Sequence, residues 1–450
     1  MKNRIGAAIV ERIIRAARNR EPYHMIIMMP AVPAFAGDLQ ADEAIATRAI
    51  MEFQYDSINR GGQSIMEQIA REGIDPMQYI RFYNLRNYDR INSSSAMKEA
   101  EQQSGVSYDD ARRGHDQRFG HGTESQQYGR EYEGFERSNG DAYDKYQRAA
   151  YNVQSHDSSG LAADRWDSVA ECYMLGGEDI RNVPWTPGST SEIDAFVSEE
   201  LYIHSKLLIA DDRIVICGSA NLNDRSQLGN HDSEIAIRID DAQTIQSTMA
   251  GQPWPASKFA SSLRRQIFRK HLGLIPPQDP QRPDANYTPV GHEGNLYDWN
   301  SAEDHAVTDP LSPEFERLWK QTARTNTQVF GRVFHPVPTD EVRNWKQYEE
   351  YYSRFFATEN KSAAKEKKQN RDGKSVEDAE REVEEKPSTW KWGHVVAENF
   401  SEGDDGVREV KEELSRVRGT LVEMPLLFLR EEDIAQEGVS LNAFTEEVYT

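Results

Sequence analysis

Apolar residues return every three to four positions near the start of the chain. Ile5, Ile9, Ile13 and Ala17 fall on one face, which predicts a helix over 3–19 with Asn3 as its cap. Met25 to Met29 is an unbroken apolar run ended by the prolines of PAVPAF, and reads as a buried strand. Helical periodicity resumes from about Asp42 to Ile58, is broken by NRGGQSI, and continues to Arg71. Tyr79 to Tyr83 alternates as a strand does. Helix, strand, helix, helix, strand is the grammar of an α/β fold, here a mixed β-sheet flanked by helices.

The pattern disappears between about Ser93 and Gly160. That stretch is rich in Gly, Ser, Gln and charge, with almost no aliphatic residues. It cannot bury enough apolar surface to offset the entropy of ordering, which predicts a disordered insertion over 93–160. Order returns near Trp166. Ala256 to Leu272 predicts a helix with Phe259, Leu263, Ile267 and Phe268 on its apolar face. Residues 276–310 are proline-rich and irregular, and helical patterns follow at 314–324 and 340–355. Residues 359–386 mix both signs of charge and read as a solvated helix or linker. Gly419 to Leu429, GTLVEMPLLFL, is an apolar strand-like run near the end of a polar chain. Such a run docks rather than dangles, and its expected host is the sheet or core that carries residues 201–209.

Composition narrows the classes open to this chain. Of its 450 residues 37% are hydrophobic and 28% charged, and the formal net charge is -22. So acidic a chain is a poor generic binder of nucleic acid or of anionic membrane, so any bound phosphate needs a local cluster of donors. Two cysteines, Cys172 and Cys217, make no disulfide framework and have no metal-ligand spacing, which fits a reducing compartment. No run of 18 apolar residues is present, and the sequence opens on a helix pattern rather than a leader.

The chemistry concentrates in LYIHSKLLIADDRIVICGSANLNDRSQLGNHDSEIAIRI. Two apolar β-rich runs, about Leu201–Ile209 and Ile214–Gly218, flank a turn centred on Asp211 and Asp212. A tight turn there places His204 roughly opposite Ser219. His204 and Lys206 are two residues apart and leave the same face, with Ser219 and Asn221 at the mouth of the second strand. A histidine, an ammonium, a hydroxyl and a carboxamide around one point suit a phosphate. Lys206 supplies charge, Ser219 and Asn221 supply neutral donors, and His204 can bond phosphorus or pass a proton. Neither a metal nor a cofactor is required, and Asp211 faces away by strand parity. Physics alone leaves a structural histidine as good a reading as a catalytic one, although a polar pair on an apolar strand is costly to bury unless used.

H-S-K-L-L-I-A-D followed by G-S-A-N fits H-x-K-x(4)-D-x(6)-G-S-x-N, and on it the chain resembles the phospholipase D superfamily. NRIGAAIVERI, PAVPAFAGDL, FQYDSINRGGQSI, YIRFYNLR, FASSLRRQIFRKHLGL and the terminal EEVYT are similar to segments around the second signature of eukaryotic phospholipases D. The resemblance covers 1–92, 166–275 and 415–450. It implies the C-terminal catalytic half over 1–92 and 161–275, with the phosphodiesterase motif at about 198–225. Helices and polar linkers would fill 276–390, and 391–450 would dock back on the core with Tyr449 and Thr450 tucked in.

The resemblance also implies roles. His204 would be the general acid/base. Lys206 and Asn221 would hold phosphate oxygens with Ser219 assisting, and Asp211 would be structural. Glu234 would accept a bond from the His204 ring and fix its tautomer, with Asp232 as the alternative. Arg60, Gly61 and Ser64 match a family segment near the substrate. The implied reaction is hydrolysis of a phosphatidylcholine-like phospholipid to phosphatidate and a head-group alcohol, by a cytoplasmic enzyme peripheral on intracellular membranes. Family members pair two signatures on one phosphate, whereas none of the other ten histidines of this sequence has a lysine two residues on. Three arrangements follow: a piece of a full enzyme whose N-terminal catalytic half lies elsewhere, a two-fold dimer with one signature per subunit, or an inactive relative that binds lipid or protein. The nuclease form of the dimer is disfavoured by the acidic charge.

Overall fold

The structure is a computed structural model that describes residues 3–33, 39–40, 44–90, 95–107, 110–111, 142–155, 180–182, 185, 191–275, 301–356 and 394–435. In chain order the elements are α1 (Ile5–Asn19), β1 (Met25–Met28), α2 (Ile45–Ile58), α3 (Ile65–Arg71), β2 (Ile80–Arg90), α4 (Ser95–Ser104), α5 (Ala142–Ser155) and α6 (Glu192–Ala195). Then follow β3 (Phe196–Glu200), β4 (Lys206–Ala210), β5 (Ile214–Gly218), α7 (Asp224–Gln227), β6 (Ala236–Asp240), β7 (Thr244–Met249), β8 (Gln252–Ser257) and α8 (Lys258–His271). The last are α9 (Ala302–Thr308), α10 (Pro313–Phe334), α11 (Trp345–Phe356), α12 (Asp404–Leu414) and β9 (Leu421–Glu423). This is the mixed α/β architecture that the hydrophobic pattern predicts.

The chain divides into two compact units. The larger comprises Met1–Tyr88, Val197–Pro276 and Arg282–Thr450. At its centre β2 pairs in parallel with β1, from Met25↔Ile80 to Met28↔Tyr83. Each side of this sheet is covered. Met25, Ile27, Ile80 and Phe82 pack with Val10 and Ile13 of α1, Met51 and Tyr55 of α2, and Phe428 and Leu429. Ile26, Met28 and Tyr83 pack on the opposite side with Phe315 and Trp319 of α10, Leu272 and Leu421. Apolar packing on both faces, which leaves each of the four residues partly buried, is why MIIM is continuously apolar rather than alternating.

β9 pairs antiparallel with β2, with Leu85↔Leu421, Asn84↔Val422 and Tyr83↔Glu423. The sequence reading assigns this run to the sheet or core that carries residues 201–209. The sheet it joins is β1–β2–β3, on whose β2 the Leu201 N–H also bonds the Leu85 carbonyl, and there Leu421 completes the aromatic cluster around Trp319. Beyond β9 the backbone is held by polar groups. Tyr55 Oη donates to the Pro425 carbonyl at 2.8 Å, and Asn59 Nδ2 to that of Leu426 at 2.7 Å. Tyr449 and Thr450 lie outside the described residues.

The smaller unit comprises Asp89–Phe196 and Pro277–Gln281. Within it α4 and α5 are helices, and Ala100, Ala111, Tyr146 and Ala149 form a small buried cluster. This narrows the expectation for 93–160. Small residues let two polar helices approach closely enough to bury one tyrosine, so the insertion is not uniformly without structure. The remainder of that stretch, like 359–386, lies outside the described residues. Arg90 is fully buried beside the rings of Trp185 and Phe196 and is paired with Glu192.

Candidate functional site

The second sheet of the larger unit is β4–β5–β6, antiparallel throughout. β4 and β5 are joined by a turn in which Asp211 and Asp212 both take positive φ, 54° and 55°. Aspartate tolerates this conformation better than most side chains. The turn closes with the Arg213 N–H donating to the Ala210 carbonyl at 2.9 Å. The first ladder pair is Ala210↔Ile214, which leaves Arg213 as an extra residue. The register is therefore Lys206↔Gly218, one step from the sequence reading. Extended by two residues, it brings His204 level with Ala220 rather than with Ser219. His204 also precedes β4 by two residues instead of lying within the strand.

The hairpin tip is seated on the following elements. Trp254 Nε1 donates to the Asp211 carbonyl and the Ser257 N–H to that of Asp212, both at 2.8 Å. The Asp212 carboxylate is buried and receives Arg264 Nε at 2.5 Å and Nη2 at 2.8 Å. Arg264 also donates to the carbonyls of Val307 and Thr308, at 2.6 Å and 2.9 Å, at the end of α9. Asp211 is the aspartate of the signature, but its side chain is exposed, and the structural carboxylate is its neighbour. The face of α8 follows the same logic. Arg264, Arg265 and Arg269 are buried, while Phe259, Leu263, Ile267 and Phe268 are only partly so. Arg265 Nη1 pairs with Asp304 at 3.0 Å and its Nη2 donates to Ser247 Oγ at 2.8 Å. Buried guanidinium groups need such partners in full.

At the other end of the hairpin the predicted residues gather in part. Lys206 Nζ donates to the His204 carbonyl at 2.6 Å. Ser219 Oγ donates to Glu234 and receives the Ile235 N–H at 3.0 Å, which ties the G-S-A-N segment to the start of β6. Glu234 is held below the usual carboxylate range, first by the bond from Ser219 and further by the nearby Lys206 charge. The sequence reading gives Glu234 to the His204 ring. Among the described residues it bonds Ser219 instead, and Asp232 is ion-paired with Arg225 at 2.9 Å. The His204 and Asn221 side chains are exposed, and the ring lies over that of Tyr202.

Gly218 has a plain steric cause: a Cβ there would stand 2.5 Å from the Ile235 carbonyl and 2.8 Å from Ala236. Gly218→Ala is accordingly expected to destabilise the larger unit by about 1–3 kcal/mol through overpacking. Thermal unfolding measures it, and an unchanged midpoint would show that β6 yields freely.

Arg60, Gly61 and Ser64 are engaged elsewhere. Arg60 stacks on the Tyr55 ring at 4.1 Å and donates to the carbonyls of Leu426, Phe428 and Leu429. Gly61 takes a positive φ of 78° in the turn after α2. Ser64 caps α3 in a capping box with Glu67. Arg60 thus braces the C-terminal segment, while Gly61 and Ser64 shape the turn and cap between α2 and α3. Two further histidines are unsuited to acid–base work near neutral pH: burial lowers His24 and His271 to about 4. Among the described residues no helix is long and apolar enough to cross a membrane.

Residues 184–288 match the family described as Phospholipase D. Over 436 residues the chain is 26% identical to Phospholipase D zeta 1 of Arabidopsis thaliana, covering 96% of this chain and 26% of that protein. It is 26% identical over 434 residues to Phospholipase D1 of Homo sapiens, covering 96% of this chain and 24% of the relative. To Phospholipase D1 of Schizosaccharomyces pombe it is 31% identical over 274 residues, or 61% of this chain and 13% of that protein. The chain thus spans about a quarter or less of the length of these relatives.

Proposed function

This chain belongs to the eukaryotic phospholipase D superfamily, and from that membership we propose that it supplies one half of a phospholipase D-type phosphodiester site. The supporting observation is the open end of the β4–β5–β6 sheet. There His204, Lys206, Ser219 and Asn221 stand on one hairpin, with Glu234 at the adjoining strand. The reaction is hydrolysis of a phosphatidylcholine-like diester. Lys206, Asn221 and Ser219 bind the non-bridging oxygens, and releasing Lys206 Nζ from the His204 carbonyl frees the ammonium for phosphate. His204 protonates the leaving alcohol and then takes a proton from water. A second histidine, from a first signature that this sequence does not carry, attacks phosphorus.

The surface around the hairpin supports a partner for this half. Leu208, Leu222, Leu228, Ile235 and Ile237 are all exposed although apolar, with Leu208 and Ile237 on opposite faces of the sheet, and so much exposed apolar surface around one hairpin marks an interaction region. The N-terminal catalytic half of a phospholipase D is the occupant that also supplies the second histidine.

The isolated chain is expected to be nearly inactive on phosphatidylcholine vesicles. Activity should appear when the N-terminal catalytic half of a relative is added. Choline release measured beside the sedimentation mass checks this, and robust release by a proven monomer overturns the half-site reading. An active dimer in the absence of any second polypeptide would favour one signature from each subunit.

A further inference from the structure

The His204 ring makes no hydrogen bond among the described residues, yet it is not without support. Tyr202 lies against it, with ring centroids 6.1 Å apart and planes 28° from parallel. The two residues are two apart on an extended segment, so their side chains leave the same side. Tyr202 is 53% exposed, so it gains little from burial there. Its hydroxyl is nonetheless engaged, donating to the Pro33 carbonyl at 3.1 Å in the loop after β1. That loop is itself pinned by Glu200, the last residue of β3. Its carboxylate accepts the N–H of Ala31 at 2.5 Å and that of Val32 at 3.3 Å. One carboxylate thus holds a loop, the loop holds a phenol, and the phenol's ring backs the imidazole.

We propose that Tyr202 is a positioning residue for His204, holding one face of the imidazole so that the ring edge meets the phosphate. The proposal rests on the reading of His204 as the acid/base group. It assigns the job of orienting the ring to a stacked aromatic, since Glu234 bonds Ser219 in this structure. A planar contact fixes the ring while leaving both nitrogens free for proton transfer.

The test uses the full chain labelled at histidine Cε1 and observed by proton–carbon correlation, with the His204 signal identified by its loss in His204→Gln. Tyr202→Phe keeps the ring without its tether, and Tyr202→Leu removes the ring. In Tyr202→Leu the His204 signal should move, and the inorganic phosphate concentration that half-saturates its shift should rise by roughly twofold to tenfold, the bias such a ring contact exerts. Tyr202→Phe should fall between that variant and the parent. Unmoved signals from the half-buried His24 and His271 report that the fold is intact. If phosphate shifts His204 equally in parent and Tyr202→Leu, the phosphodiesterase reading stands and the positioning role is overturned. If phosphate moves no histidine signal in the parent, the reading itself fails and takes this proposal with it.

Discussion

Asp212→Asn is expected to lower the unfolding free energy by about 3 kcal/mol or more, whereas Asp211→Asn should stay within about 0.5 kcal/mol. Both positions have positive φ, near 55°, and asparagine tolerates that conformation as well as aspartate does. The backbone term therefore cancels between the two variants. What differs is the side chain. Asp212 is buried against Arg264 in a two-point ion pair, and neutralising it strands a guanidinium in the interior. Asp211 faces solvent. Chemical denaturation of the two variants beside the parent measures the contrast, and equal losses would show that the signature aspartate secures the hairpin as much as its neighbour does.

The second large effect is catalytic. With this chain and the N-terminal half of a relative assembled into an active enzyme, His204→Gln should reduce choline release by about two to four orders of magnitude, the range of general acid–base catalysis. Glutamine keeps hydrogen-bonding capacity and approximate reach but cannot carry the proton. Single-turnover rates on vesicles check it. Retention of most of the rate would mean that the proton comes from elsewhere, and the exposed imidazole would then have no catalytic role.

Both predictions join something plain in the sequence to something hidden in it. The α1 to β2 pattern was legible because helix and strand periods are local: β1 occupies Met25–Met28 within the apolar run at 25–29, and α1 occupies Ile5–Asn19 within the stretch read as 3–19. α10 was harder. Its pattern suggests an end at Arg324, yet the helix runs to Phe334. The polar residues just past Arg324 have distant partners. Asn326 is fully buried and exchanges bonds with the Arg418 backbone and the Leu421 carbonyl, and Thr327 accepts the Glu423 N–H at 2.9 Å. A polar residue that serves a segment about 90 positions away looks, in one dimension, like a loop.

The sequence by itself determined the residue types of the site and the fact that one hairpin carries them. Both follow from a spacing of two along extended backbone and from a short turn between apolar runs. Only the tertiary structure decided the rest. The unmatched Arg213 shifted the ladder by one, a count that turn composition does not reveal. Which of two adjacent aspartates is buried depended on where α8 and α9 bring their arginine and carbonyls. Arg60, legible as a motif residue, became the clamp on the C-terminal segment because β9 came to lie beside β2. Periodicity and spacing are set by neighbours along the chain. Burial of a charge and the partner of a carboxylate are set by neighbours in space, and those exist only once the whole unit has packed.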